Sequence, residues 1–162
     1  MINYREVSMI DKSIVKTLVD EWLEGKEYFL TDLTISADDR IVVEIDHKDG
    51  VWIEDCVALS RHIEDGLNRD EEDFELEVGS AGIGQPFKVR RQYEIHVGDP
   101  VEVLTTAGRK LRGTLKELGD DTLTLTCQEK VKREGEKRPK LEDVDHVMPL
   151  TEVKECRYHL DF

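Results

Sequence analysis

Residues 79–86 read GSAGIGQP. Three glycines (Gly79, Gly82, Gly84) and Pro86 fall within eight positions, between an alternating run, FELEV (74–78), and a basic one, KVRR (88–91). Two readings compete: a phosphate-binding loop and a joint between domains. A P-loop needs GxxxxGK[ST], whose lysine reaches the terminal phosphates. Here no lysine follows the glycines until Lys88. A dinucleotide fingerprint needs GxGxxG opening a helix; this stretch has the reverse spacing, ends in proline, and leads into KVRRQY, which lacks helical periodicity. Glycine admits positive φ, and Pro86 pushes Gln85 towards an extended backbone. The chain therefore bends and leaves whatever sheet FELEV belongs to. Gly79, Gly82, Gly84 and Pro86 mark a junction, with domains at 1–84 and 85–162.

Charge divides at the same place. The 162 residues carry a net charge of −14. Residues 1–84 hold 8 Lys/Arg against 22 Asp/Glu, and residues 85–162 hold 15 of each, so the whole excess precedes Gln85. Such asymmetry points to two modules with different partners. The overall acidity argues against a general nucleic-acid binder. No apolar run approaches the roughly 20 residues of a membrane helix, and the N-terminus, MINYREVSMIDKS, has no basic start with a long apolar core, so no secretory signal is expected. Three separated cysteines (Cys56, Cys127, Cys156) with no CxxC spacing and no nearby histidine partner argue against disulfides and against zinc. A reducing cytoplasm is the expected compartment.

Hydrophobic spacing sets the elements. Ile14, Val15, Leu18, Trp22 and Leu23 form a helical stripe over 11–24, with Asp11 or Ser13 as cap and Gly25 as stop. YFLTDLTIS (28–36) and IVVEID (41–46) read as a hairpin. IEDCVALSRHIEDGLN (53–68) is a second amphipathic helix, NRDEED a polar turn, and FELEVGS (74–80) a third strand. Two helices on one face of a three-stranded sheet would bury both stripes. The second half holds short β-rich runs: PVEVLT, RKLRGTLKEL, DTLTLTC, DHVMPL and VKECRYHLDF. Gly113 suggests a bulge or sharp bend, and TEVK (151–154) a tight helical turn. The expected fold class is α+β: an N-terminal α/β domain followed by a small SH3-like or Sm-like β-barrel.

The candidate functional residues are charged. Lys88, Arg90 and Arg91 at the junction stand beside Phe87 and Tyr93, a mixture that contacts phosphates and stacks on bases, or else packs between domains. KVKREGEKRPK (130–140), including Lys130, Lys132 and Arg133, reads as a basic mobile loop, and Arg109, Lys110 and Arg112 extend the same surface. Glu54, Asp55, Glu64 and Asp65 form an acidic helix face suited to a basic protein. No DxDxDG loop, HxxxH pair or GxSxG elbow occurs; no metal, cofactor or catalytic role is expected.

At this point the chain resembles the ribosome maturation factor RimP family. IVVEID followed by IEDCVALSRHIEDGL resembles that family's strand and "DC...SR.I...L" helix; FELEVGSAGIGQPFK resembles its "Y.LEVSSPGL.RPLK"; QYEIHVGDPVEV resembles its lead into a barrel. The resemblance spans about residues 11–161. It implies a bacterial cytoplasmic factor, without catalysis or cofactor, that binds the free small (30S) ribosomal subunit or its precursor and is associated with small-subunit ribosomal protein twelve. The charge division adds the expectation that the acidic half meets that basic protein while the basic residues meet 16S rRNA, and a monomer is expected. Two positions depart from the pattern: Ala81 replaces the family's proline and Gln85 its arginine, so no role of that arginine carries over. An Sm-like RNA chaperone acting as an oligomeric ring is the competing reading.

Overall fold

The structure is a computed structural model that describes residues 10–67, 73–82 and 84–159. The chain divides into two compact units between Ala81 and Gly82.

In the first unit, helix α1 covers Lys12–Leu23. The Asp11 carboxylate accepts the Ser13 N–H at 2.9 Å, satisfying one donor that the first turn leaves unpaired. The spacing of four drives Val15 and Val19 fully inward. Strands β1 (Phe29–Ile35) and β2 (Arg40–Asp46) pair antiparallel; helix α2 (Ile53–Gly66) then crosses over to β3 (Glu75–Ser80), which pairs parallel to β2. Parallel pairing demands such a crossover, because a tight turn cannot reverse the chain twice. Ile41, Val43 and Ile45 alternate along β2 and are fully buried against Leu59 and Ile63 of α2 and the valines of α1. Each such side chain contributes about 1.5–3 kcal/mol of transfer free energy. The strand order is β1-β2-β3, so among the described residues β3 is an edge.

The second unit opens with helix α3 (Arg90–Ile95), followed by β4 (Pro100–Thr105), β5 (Lys110–Leu118), β6 (Thr122–Val131), β7 (Lys140–Pro149), a 3-10 turn at Leu150–Glu152, and β8 (Val153–Tyr158). The five strands form one antiparallel sheet in the order β7-β6-β5-β4-β8. Val101, Val103, Leu115, Leu123, Leu125 and Cys156 are fully buried in its core. Among the described residues no ladder joins β7 to β8.

Three local expectations need correction. KVRRQY was expected to lack helix, yet Arg90–Ile95 is helical. Six residues are too few to display a 3.6-residue period. The buried Gln92 holds the turn instead: its Oε1 accepts the N–H groups of Lys88 at 2.6 Å and Val89 at 3.2 Å. Residues 130–140 were expected to be all loop, but Lys130 and Val131 pair with Leu141 and Lys140, so the two strands run on as a ribbon and only 132–139 connect them. The helical turn near TEVK sits one residue earlier, with Val153 already in β8.

In the glycine stretch, only Gly84 of the three junction glycines uses positive φ, at +83°. From there the backbone belongs to the second unit: Pro86 bridges Arg157, and the Phe87 N–H donates to the Cys156 carbonyl at 2.8 Å. Ile83 lies outside the described residues, as do most of NRDEED and the last three residues of the expected final strand.

Candidate functional site

Helix α2 and edge strand β3 flank a groove of about 490 Å³, lined chiefly by Ile53, Cys56, Val57, Leu76 and Val78, with Ser60 and Glu77 among its polar members. Ile53, Val57, Ser60 and Glu64 stand three or four apart and so form one stripe along α2. Trp52, Ile53 and Val57 are 65%, 79% and 43% exposed. Large apolar side chains in water are costly unless something covers them, and among the described residues no strand pairs with the outer edge of β3.

The sequence placed Glu54, Asp55, Glu64 and Asp65 together as an acidic face. Glu54, Glu64 and Asp65 are exposed. Asp55 is different: it is half-buried and accepts the Tyr28 hydroxyl, whose oxygen in turn accepts the Trp52 N–H at 3.3 Å. Asp55 therefore anchors the start of α2, and burial together with this contact raises the Tyr28 pKa. Burial also raises the Cys56 thiol, which keeps it protonated and unreactive at neutral pH. Glu77 lies on the other side of the groove, where it pairs with Arg40 at 3.0 Å.

All nine basic candidates of the second unit are exposed. Three of them make the following contacts. Arg90 donates to the carbonyls of Gly119 at 2.8 Å and Asp120 at 3.2 Å, tying α3 to the β5–β6 turn. Arg112 meets Glu102 at 2.8 Å, which holds that carboxyl below its ordinary pKa, and Arg133 meets Glu142 at 2.7 Å. Lys88, Arg91, Arg109, Lys110, Lys130 and Lys132 are exposed. Strand alternation puts Lys110, Arg112 and Lys130 on the outward face of the sheet, opposite Leu111, Leu115 and Cys127. Phe87 and Tyr93 pack against the core of this unit. Their rings lie 5.1 Å apart edge to face, and Phe87 stacks on His96 at 4.9 Å. These aromatics are occupied in packing, and burial pushes the Tyr93 hydroxyl up to about 12.

Along the sequence no histidine stands near a cysteine, but in space one does. Donor atoms of Cys127, Glu129 and His146 all lie within 4.8 Å of one another on the inner face of β6 and β7. Nineteen positions separate Cys127 from His146, so no spacing motif could reveal them; pairing of β6 with β7 does.

Comparison with known proteins decides the family. A model described as the RimP N-terminal domain matches residues 18–84. A ribosome maturation factor RimP from Porphyromonas gingivalis is 41% identical over 148 residues, covering 91% of this chain and 97% of that protein. The chain belongs to the RimP family. Two further RimP proteins match: one from Flavobacterium psychrophilum at 37% over 72% of this chain and 76% of its own, and one from Christiangramia forsetii at 29% over 95% of this chain and all of its own. The N-terminal RimP match ends at Gly84, inside the glycine stretch.

Proposed function

We propose that this RimP-family chain is a non-catalytic ribosome maturation factor that binds the free 30S subunit or its precursor. The observation that carries the reading is the relation to RimP factors across 91% of the chain. The second unit is read as an SH3-like or Sm-like barrel. Its strand order, the short helix before β4 and the 3-10 turn before β8 support that reading.

The two units have separate partners. An excess of acids over residues 1–84, 22 against 8 basic residues, repels bare rRNA, whose phosphates dominate such contacts. The same charge favours encounter with a basic ribosomal protein, and small-subunit ribosomal protein twelve is the candidate. The α2–β3 groove gives that partner a place to dock. An extended basic segment adds to the β3 edge, inserts apolar side chains between Val57 and Leu76, and sets its lysines and arginines against Glu54, Glu64 and Glu77. Trp52 and Ile53 are the contact residues expected to matter most. In the second unit, Lys88, Arg91, Lys110, Lys130 and Lys132 supply phosphate contacts to 16S rRNA. The factor acts as a cytoplasmic monomer.

Co-sedimentation with free small subunits and with complete ribosomes, at low and moderate salt, tests the proposal. Binding to the free small subunit alone supports it. Absence of binding to either, together with a ring-sized oligomer by light scattering, would favour the Sm-like RNA chaperone instead.

A further inference from the structure

We propose that Cys127, Glu129 and His146 form a binding site for one divalent transition-metal ion of the zinc type, fastening the β6–β7 hairpin. The donor set comes first. A thiolate, an imidazole and a carboxylate are the three side-chain ligands that Zn²⁺ takes, whereas Mg²⁺ and Ca²⁺ prefer oxygen alone. The placement comes next. Strand alternation puts Cys127 and Glu129 on the inner face of β6, and the Leu125–His146 pairing puts His146 on the same face of β7. Glu129 pairs with Glu142, four residues along β7 from His146. A flat ladder would hold the two positions about 13 Å apart along the strand. Their side chains nevertheless meet, His146 Nε2 to Glu129 Oε1, at 2.5 Å. The two side chains span that separation along the strands, and with Cys127 between them the three donors lie within 4.8 Å of one another.

The sheet holds the donors in place. Cys127 is only 5% exposed and packs with the sheet core, while His146 and Glu129 are half-buried at the edge of that core. Binding replaces the thiol proton, which passes to solvent, and the His146–Glu129 contact, which becomes two metal bonds. Three protein ligands leave one tetrahedral position for water. Bound metal would tie the two strands together in the stretch, Cys127–Val131, that has no β5 partner. The neighbouring connection carries Lys132 and Arg133, so the ion would also stiffen the base of a basic arm.

The experiment titrates the full chain with Co²⁺ under reducing, oxygen-free conditions and then displaces it with Zn²⁺. Expected are one equivalent bound, a sulfur-to-cobalt charge-transfer band in the near ultraviolet, visible bands of tetrahedral intensity, and loss of both on adding zinc. Cys127→Ser should abolish the charge-transfer band. His146→Gln and Glu129→Gln should each weaken binding at least about tenfold, the scale on which even an outer-sphere partner acts. Because Cys127 lies in the core, Glu129→Gln is the variant that keeps the test sound if Cys127→Ser fails to fold: the same zinc concentration should raise the melting temperature of the parent more than that of Glu129→Gln. Cobalt spectra without a thiolate band would overturn the proposal. So would a thiolate band that persists in Cys127→Ser and vanishes in Cys56→Ser, or a melting temperature indifferent to zinc in the parent.

Discussion

Replacing Gly113 with alanine should destabilise the second unit by about 2 kcal/mol or more. A Cβ built on Gly113 would stand 2.3 Å from the Thr126 carbonyl oxygen, 2.9 Å from its carbon and 3.1 Å from Cys127 Sγ. Ordinary contact begins near 3.4 Å, so β5 and β6 would have to separate by roughly 1 Å at this crossing. The obstructing atoms are backbone, and Thr126 is held in the ladder opposite Thr114, so no rotamer change relieves the clash. Overpacking of this kind costs about 1–3 kcal/mol, and an immovable neighbour puts it at the upper end. Lost freedom of the unfolded chain returns about 0.4–1 kcal/mol. With a urea m-value of about 1 kcal/mol/M for a unit this small, the midpoint should fall by about 2 M. Far-UV circular dichroism is the appropriate probe, since both tryptophans, Trp22 and Trp52, belong to the first unit. Gly79→Ala is the control: nothing lies within 4 Å of the point its Cβ would occupy and its φ is not positive, so stability should be unchanged or slightly higher. A Gly113→Ala midpoint within about 0.3 M of the parent would refute the steric reading of this crossing.

Gln92→Ala should cost about 1–2 kcal/mol, because the side chain is 3% exposed and accepts two part-buried backbone N–H groups, of Lys88 and Val89, whose bonds to it would be lost; chemical denaturation checks it. Burial pushes the Cys156 thiol from 9.0 up to about 12 and the Tyr93 hydroxyl up from 10.0. A folded-state pKa above the unfolded one gives stability that is complete below about pH 9 and declines as pH rises towards 12, by at most about 4 kcal/mol for the thiol. Cys156→Val should flatten that alkaline decline in thermal melts, and an unchanged slope would remove Cys156 as its cause. Val57→Lys places a cation in the α2–β3 groove at an exposed position. It should leave the melting temperature within a degree or two while weakening pull-down of basic ribosomal protein at low salt; unaltered binding would dismiss the groove as the docking place.

Much of this architecture can be read from short stretches. The stripe of Val15 and Val19, the alternation of Ile41, Val43 and Ile45, and the turn at Gly84 depend on residues a few positions apart, so their spacing already encodes which face is buried. The same holds for the charge division, because net charge is additive and needs no coordinates. Helix α3 was not legible because six residues cannot show a helical period and its holding contacts, from Gln92, Arg90 and Tyr93, are made in space. What no stretch encodes is which residues meet across strands and packed faces. Glu102 neutralises Arg112 and Glu142 neutralises Arg133 through pairing, and Tyr28 draws Asp55 away from the acidic face by packing. The groove exists because α2 leaves apolar side chains exposed beside β3, an edge among the described residues. Cys127, Glu129 and His146 converge because the β6–β7 register sets them on one face of neighbouring strands. Composition and periodicity are properties of neighbours along the chain, whereas these sites are properties of neighbours in space, and folding alone brings those together.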